Sequence, residues 1–106
     1  MFIKFNQYEL LELFEKEPVF VGDEEAGILI YSKSDDLGFK LVLTISIYEK
    51  QCNLSLSYQK FDASIFEIKL IDVDEIVGED QILTIIGRNI KNRVEVIFNT
   101  HFKIKI

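Results

Sequence analysis

One cysteine, one histidine, one proline, one methionine, five glycines and no tryptophan in 106 residues leave this chain short of the residue types most chemistry requires. A lone Cys52 rules out an internal disulfide. With the lone His101 it offers a single conceivable thiolate–imidazolium pair, drawn from two different turns. The scattered glycines never form a phosphate-cradling loop. No apolar run approaches the roughly 20 residues of a membrane-spanning helix. Met1 to Gln7, with one lysine and no long apolar stretch, lacks the outline of a secretory signal. A cytoplasmic address with a reduced thiol is the expectation, with no membrane contact and no cofactor.

What the chain does contain is alternation. Hydrophobic residues make up 48% of it, enough to offset the entropy of ordering a single domain, residues 1–106. Phe39, Leu41, Leu43, Ile45 and Ile47 fall on one side of a strand while Lys40, Thr44 and Ser46 fall on the other, the period-two pattern of a half-buried sheet. Similar runs over Gly27 to Lys33, Leu54 to Tyr58, Ile65 to Val73, Ile82 to Ile86, Arg93 to Phe98 and Phe102 to Ile106 predict about six or seven strands. A phase slip at Leu70-Ile71 reads as a β-bulge. Before them, Asn6 and Glu9 are spaced as a helix N-cap and capping box, and Phe5 with Leu10 as a hydrophobic staple. Leu10, Leu11 and Phe14 form the apolar stripe of a helix from about Gln7 to Lys16, which Pro18 ends. The fold class expected is α+β, mostly β: one twisted antiparallel sheet with a short N-terminal helix packed on it. Leu10, Leu11, Phe14, Leu41, Leu43, Ile45, Leu56, Ile68 and Val96 are its expected core.

The formal charge of −6 is unevenly spread. Residues 1–36 hold nine acidic and three basic groups and residues 49–80 hold eight and three, whereas residues 81–106 hold Glu95 against Arg88, Lys91, Arg93, Lys103 and Lys105. Such a balance argues against nucleic acid as a partner, since phosphate binding draws on clustered lysine and arginine. The aromatic residues Phe61, Phe66, Phe98, Phe102, Tyr48 and Tyr58, which could stack bases, sit in strand phase and read as packing instead. The acidic stretch Asp72 to Asp80 reads as a connection. Asp72 and Asp74 could face a hard cation, but the spacing lacks the order of a calcium loop. Two neighbouring carboxylates without a cleft do not make an acid–base pair either. Ser46, Ser55 and Ser57 belong to the wet faces of strands.

Helix end Leu13-Phe14-Glu15-Lys16-Glu17-Pro18, strand Ile28-Leu29-Ile30-Tyr31, acidic turn Asp35-Asp36, strand Leu41-Val42-Leu43-Thr44-Ile45 and later Glu67-Ile68-Lys69-Leu70-Ile71-Asp72-Val73 together resemble the family Immunity protein 50. The resemblance spans about Leu11 to Ile106, and it differs at Tyr58-Gln59-Lys60-Phe61, where members tend to carry a tryptophan. It implies a non-catalytic cytoplasmic protein that binds and neutralises a cognate bacterial toxin, and it brings no catalytic residues. A basic toxin would be met by Asp23, Glu24, Glu25, Asp72, Asp74, Glu75, Glu79 and Asp80, because clustered like charges add nothing to a fold and make a field outside it. Moderate negative charge also serves solubility alone. A homo-oligomeric assembly module, pairing exposed sheet edges, and a small-molecule-binding sheet with a pocket under the helix are the alternatives.

Overall fold

The computed structural model describes residues 2–61, 64–88 and 93–106. In chain order the elements are β1 (Lys4–Phe5), α1 (Gln7–Phe14), β2 (Val19–Phe20), a 3-10 turn (Glu24–Ala26), β3 (Ile28–Ser34), β4 (Phe39–Ser46), β5 (Gln51–Tyr58), β6 (Ser64–Leu70), β7 (Val73–Glu79), β8 (Ile82–Gly87), β9 (Val94–Phe98) and β10 (Phe102–Lys105). The chain is therefore mostly β with one helix, the expected class.

The strands divide between two sheets, where the alternation alone suggested one. One sheet has the order β2-β3-β4-β5-β6, the other β1-β7-β8-β9-β10. Every described neighbour pair is antiparallel except β1 with β7, which is parallel. Each sheet has one apolar face, and the two faces close on a shared core, the way packed sheets bury their inner faces. Leu29, Tyr31, Leu41, Leu43, Ile45, Cys52 and Leu54 enter it from the first sheet, and Val73, Ile76, Leu83, Ile85, Val94, Val96 and Phe98 from the second. Of the expected core, Leu10, Phe14, Leu41, Leu43, Ile45 and Val96 are buried, while Leu11, Leu56 and Ile68 are half-buried.

The acidic stretch read as a connection is the strand β7. Its inward residues Val73, Ile76 and Gly78 are buried, but a carboxylate at most other positions hides the alternation. The phase slip just before it marks a corner rather than a bulge. β6 ends at buried Leu70, Asp72 turns through a left-handed φ of 55°, and the chain enters the opposite sheet at Val73. Register irregularities lie at Val73/Glu75 and at Leu56/Ser57. The β4–β5 turn is tight, since β4 ends at Ser46 and β5 begins at Gln51. Gly87 to Asn92, a turn by the sequence's alternation of strands, falls partly outside the described residues.

Helix α1 closes the side of the sandwich between β7 and β3. Asn6 Oδ1 accepts from the amides of Tyr8 at 2.8 Å and Glu9 at 3.4 Å, the cap the sequence predicts. Glu9 does not complete a capping box; its Oε1 accepts from the Gly78 amide at 3.1 Å and ties the helix to the edge of β7. A Cβ at Gly78 would lie 2.7 Å from Leu13 Cδ1, so the strand needs glycine where the helix seats. The helix stops at Phe14, two residues short of the expected end, because Glu15 takes a left-handed φ of 61° and its amide bonds Leu11 O at 2.7 Å. The buried stripe is accordingly Leu10, Leu13 and Phe14. Phe14 touches both sheets, 5.2 Å from Tyr31 and 5.1 Å from Phe98 between ring centroids. Lys33 reaches over Phe98 to donate to Leu13 O at 3.0 Å, placing a cation at the negative end of the helix.

Candidate interaction surface

The acidic groups begin with local turn geometry. Asp23, Glu24 and Glu25 are exposed on the 3-10 turn, which closes through the Ala26 and Gly27 amides onto Asp23 O and Glu24 O. Gly27 sits at φ 71° against the Tyr48 ring, and its carbonyl accepts from the Ile47 amide at 2.9 Å. On the other side of the same β4–β5 turn, the Val73 amide donates to Lys50 O at 2.9 Å. The structure thus brings Asp23, Glu24 and Glu25 to one flank of residues 47–50 and Asp72 and Asp74 to the other.

These carboxylates are not equivalent. Lys50 Nζ donates to Asp74 Oδ1 at 2.7 Å. That bond, with Lys50 and Arg88 charges nearby, holds the Asp74 carboxyl below its ordinary range despite partial desolvation. Asp72 is exposed at the corner, its carbonyl accepting from the Arg88 amide at 3.2 Å. Glu75 stands on the outer face of its sheet beside Lys4, its register partner on β1. Glu79 and Asp80 lie at the far end of β7, about 20 Å away at some 3.3 Å per strand residue. There they meet Glu9 and Glu12 around a cleft of about 50 Å³ between the helix and the β7–β8 hairpin. The eight candidate residues therefore form two acidic regions with Glu75 between them. Glu9, which the sequence marks as a capping-box residue, and Glu12, which is not among the candidates, belong to the second. Register and topology, which periodicity does not carry, create that meeting.

The outer face of the β1-β7-β8-β9-β10 sheet is the second notable surface. A trough of about 260 Å³ runs over Val77, Ile82, Thr84 and Ile86 and is walled by Glu79, Asp80, Arg93 and Glu95. An open cleft of about 410 Å³ lies beside β1 among Phe2, Phe5, Ile47 and Tyr48, and a smaller one of about 80 Å³ lies between the helix and β2–β3, lined by Tyr8, Leu11 and Tyr31.

Cys52 is 2% exposed, and burial pushes its thiol up to about 12. It pairs with Ile45 near the end of β4, whereas His101 is exposed in the β9–β10 turn, which contacts the opposite end of β4 through Asp36 and Thr100. Thiol and imidazole are thus held apart. Among the described residues no group of three His, Cys, Asp or Glu side chains is placed to hold a metal ion, and no helix is long and apolar enough to cross a membrane. Phe98 and Phe102 stack edge-on at 5.4 Å, with Phe98 buried in the core as the strand phase implied.

No family model matches the sequence, so the resemblance to Immunity protein 50 stands without that support, and no curated protein matches it. Among solved structures the fold recurs in a chain of the contact-dependent growth inhibition toxin–immunity protein complex from Klebsiella pneumoniae 342. The TM-score is 0.81, with 99% of this chain and 96% of that chain covered at 19% identity. At that identity the likeness is one of fold, extending over the whole sandwich and its helix.

Proposed function

We propose that this chain is an immunity protein, which binds a protein toxin in the cytoplasm and blocks it by covering its surface, with no cofactor and no chemistry of its own. One observation carries the reading: the fold is shared end to end with a chain of a complex that joins a contact-dependent growth inhibition toxin to an immunity protein. The surface supports it. Asp23, Glu24, Glu25 and Asp72 at one end of the molecule, and Glu79 and Asp80 with Glu9 and Glu12 at the other, would draw in a basic toxin domain before contact. Glu75 lies between the two regions, and Asp74, already held by Lys50, adds less. The separation of Cys52 from His101 agrees with a role in binding.

Expressing the toxin encoded beside this gene in a sensitive cell should arrest growth, and co-expressing this chain should restore it. The two purified proteins should form a stable complex. Continued arrest with both proteins soluble, or no complex at micromolar concentration, would overturn the proposal.

A further inference from the structure

We infer that the outer face of the β1-β7-β8-β9-β10 sheet is self-complementary and docks a second copy of this chain about a two-fold axis parallel to the strands. Glu79, Ile82, Ile97 and Lys103 are successive register partners on β7, β8, β9 and β10. Their chain neighbours Leu83, Val96 and Phe98 point into the core, so this row points out. Glu79 and Lys103 are exposed and the two isoleucines half-buried. The row therefore reads acid, apolar, apolar, base across the sheet.

A two-fold axis along the strands reverses that order in the facing copy. Glu79 then meets the second copy's Lys103, Ile82 meets its Ile97, and both contacts occur twice. The next row reads Val77, Thr84, Glu95, Lys105. Reversed, it sets the Thr84 hydroxyl against Glu95 and the Lys105 stem against Val77. Facing sheets stack about 10 Å apart, a gap these side chains span. An axis across the strands would instead oppose Glu79 to Glu79 and Lys103 to Lys103. Among the described residues neither Glu79 nor Lys103 has an ion-pair partner within the chain. The other sheet's outer rows lack this order: Ser32, Val42, Ser55 and Glu67 end in an acid with no base opposite, and Ile30, Thr44, Asn53 and Lys69 in a base with no acid.

Four strands about 4.8 Å apart and some five residues long give roughly 300 Å² of sheet per copy, about 600 Å² in total, below the roughly 1,000 Å² of a stable interface and in the range of weak, transient association. Dissociation in the high-micromolar range is the consequence. Each copy carries a net charge of −6, so the association belongs at physiological salt, where screening within about 8 Å removes most long-range repulsion.

Sedimentation and light scattering of the whole chain, from about 10 µM to about 1 mM, should show mass rising from 12.4 kDa toward twice that value. Glu79→Lys and Lys103→Glu should each weaken association about tenfold or more, with circular dichroism unchanged. The two substitutions combined in one chain should restore it, and so should an equal mixture of the two single variants, since each arrangement again opposes unlike charges. A carbodiimide that joins touching carboxylate and amine should link Glu79 to Lys103 between wild-type copies. The same two residues within one copy are three strands, roughly 14 Å, apart. A wild-type mass that stays monomeric to about 1 mM, a double variant no better than the single ones, or a covalent dimer lacking the 79–103 link would overturn the inference.

Discussion

Cys52 shows how a residue scarce in the sequence acquires its behaviour from position. It lies on the inward face of β5 between Ile45 and Leu70, where a thiolate would lose its water and gain no cation, so burial raises the thiol to about 12. The sign of the consequence follows by linkage. Below about pH 9 the thiol is protonated in both folded and unfolded chains, and pH has no effect through this group. Between about 9 and 12 the unfolded chain releases a proton that the folded chain keeps, so this contribution to stability falls as pH rises, by roughly 4 kcal/mol over the whole window. Cys52→Ala should flatten the alkaline limb of a stability–pH curve measured by urea denaturation, beyond its own cost as a cavity. A thiol reagent at pH 8 should label Cys52 only in denaturant. Prompt labelling of the native protein would place the thiol near the surface and reopen a reactive role.

Gly78 makes the corresponding case for elements. Glycine inside a strand ordinarily weakens it, and alanine is expected to help. Here the missing Cβ is what lets α1 approach β7, with Leu13 Cδ1 2.7 Å and the Glu9 backbone oxygen 3.3 Å from where it would stand. Gly78→Ala should therefore destabilise by about 1–3 kcal/mol, read from urea denaturation, the usual cost of overpacking; a neutral or stabilising result would show that the helix slides without loss. The sequence made the helix start legible because Asn6 and the apolar spacing are local signals. It overstated the helix end because Pro18 masks the earlier left-handed turn at Glu15. Strands with a clean alternation, β3 and β4 above all, were legible residue by residue. β7 was not, because its outward carboxylates give it the composition of a loop. The partition into two sheets was invisible for a related reason: Leu70-Ile71-Asp72-Val73 slips phase identically at a bulge and at a corner between sheets. The acidic segments themselves were plain in the sequence, but the company they keep, Glu9 and Glu12 beside Glu79 and Asp80, depends on where α1 docks.

Over the whole molecule the uneven charge of the sequence becomes an uneven field. Lys103 and Lys105 on β10 lie at one edge of their sheet, while β7, three strands across, carries Asp74, Glu75 and Glu79 and is tied to Glu9 of α1. Asp23, Glu24 and Glu25 probe that field most cleanly, since they lie outside the inferred docking face and Asp23 makes no side-chain cap to its turn. Replacing them together by Asn, Gln and Gln removes three charges without breaking an identified bond. Stability should stay within about 0.5 kcal/mol, as for surface changes away from special features. Association with the neighbouring-gene toxin should slow while dissociation changes little, because charges outside the contact centre act on encounter. The salt dependence of the association rate should become shallower, the difference from wild type being widest at low salt, where the screening length is longest. Stopped-flow association at several salt concentrations reads both effects. An unchanged rate at the lowest salt would remove this turn from the steering field and leave the acidic region formed by Glu9, Glu12, Glu79 and Asp80 to carry it. A dissociation rate that rises instead would place the three carboxylates inside the contact.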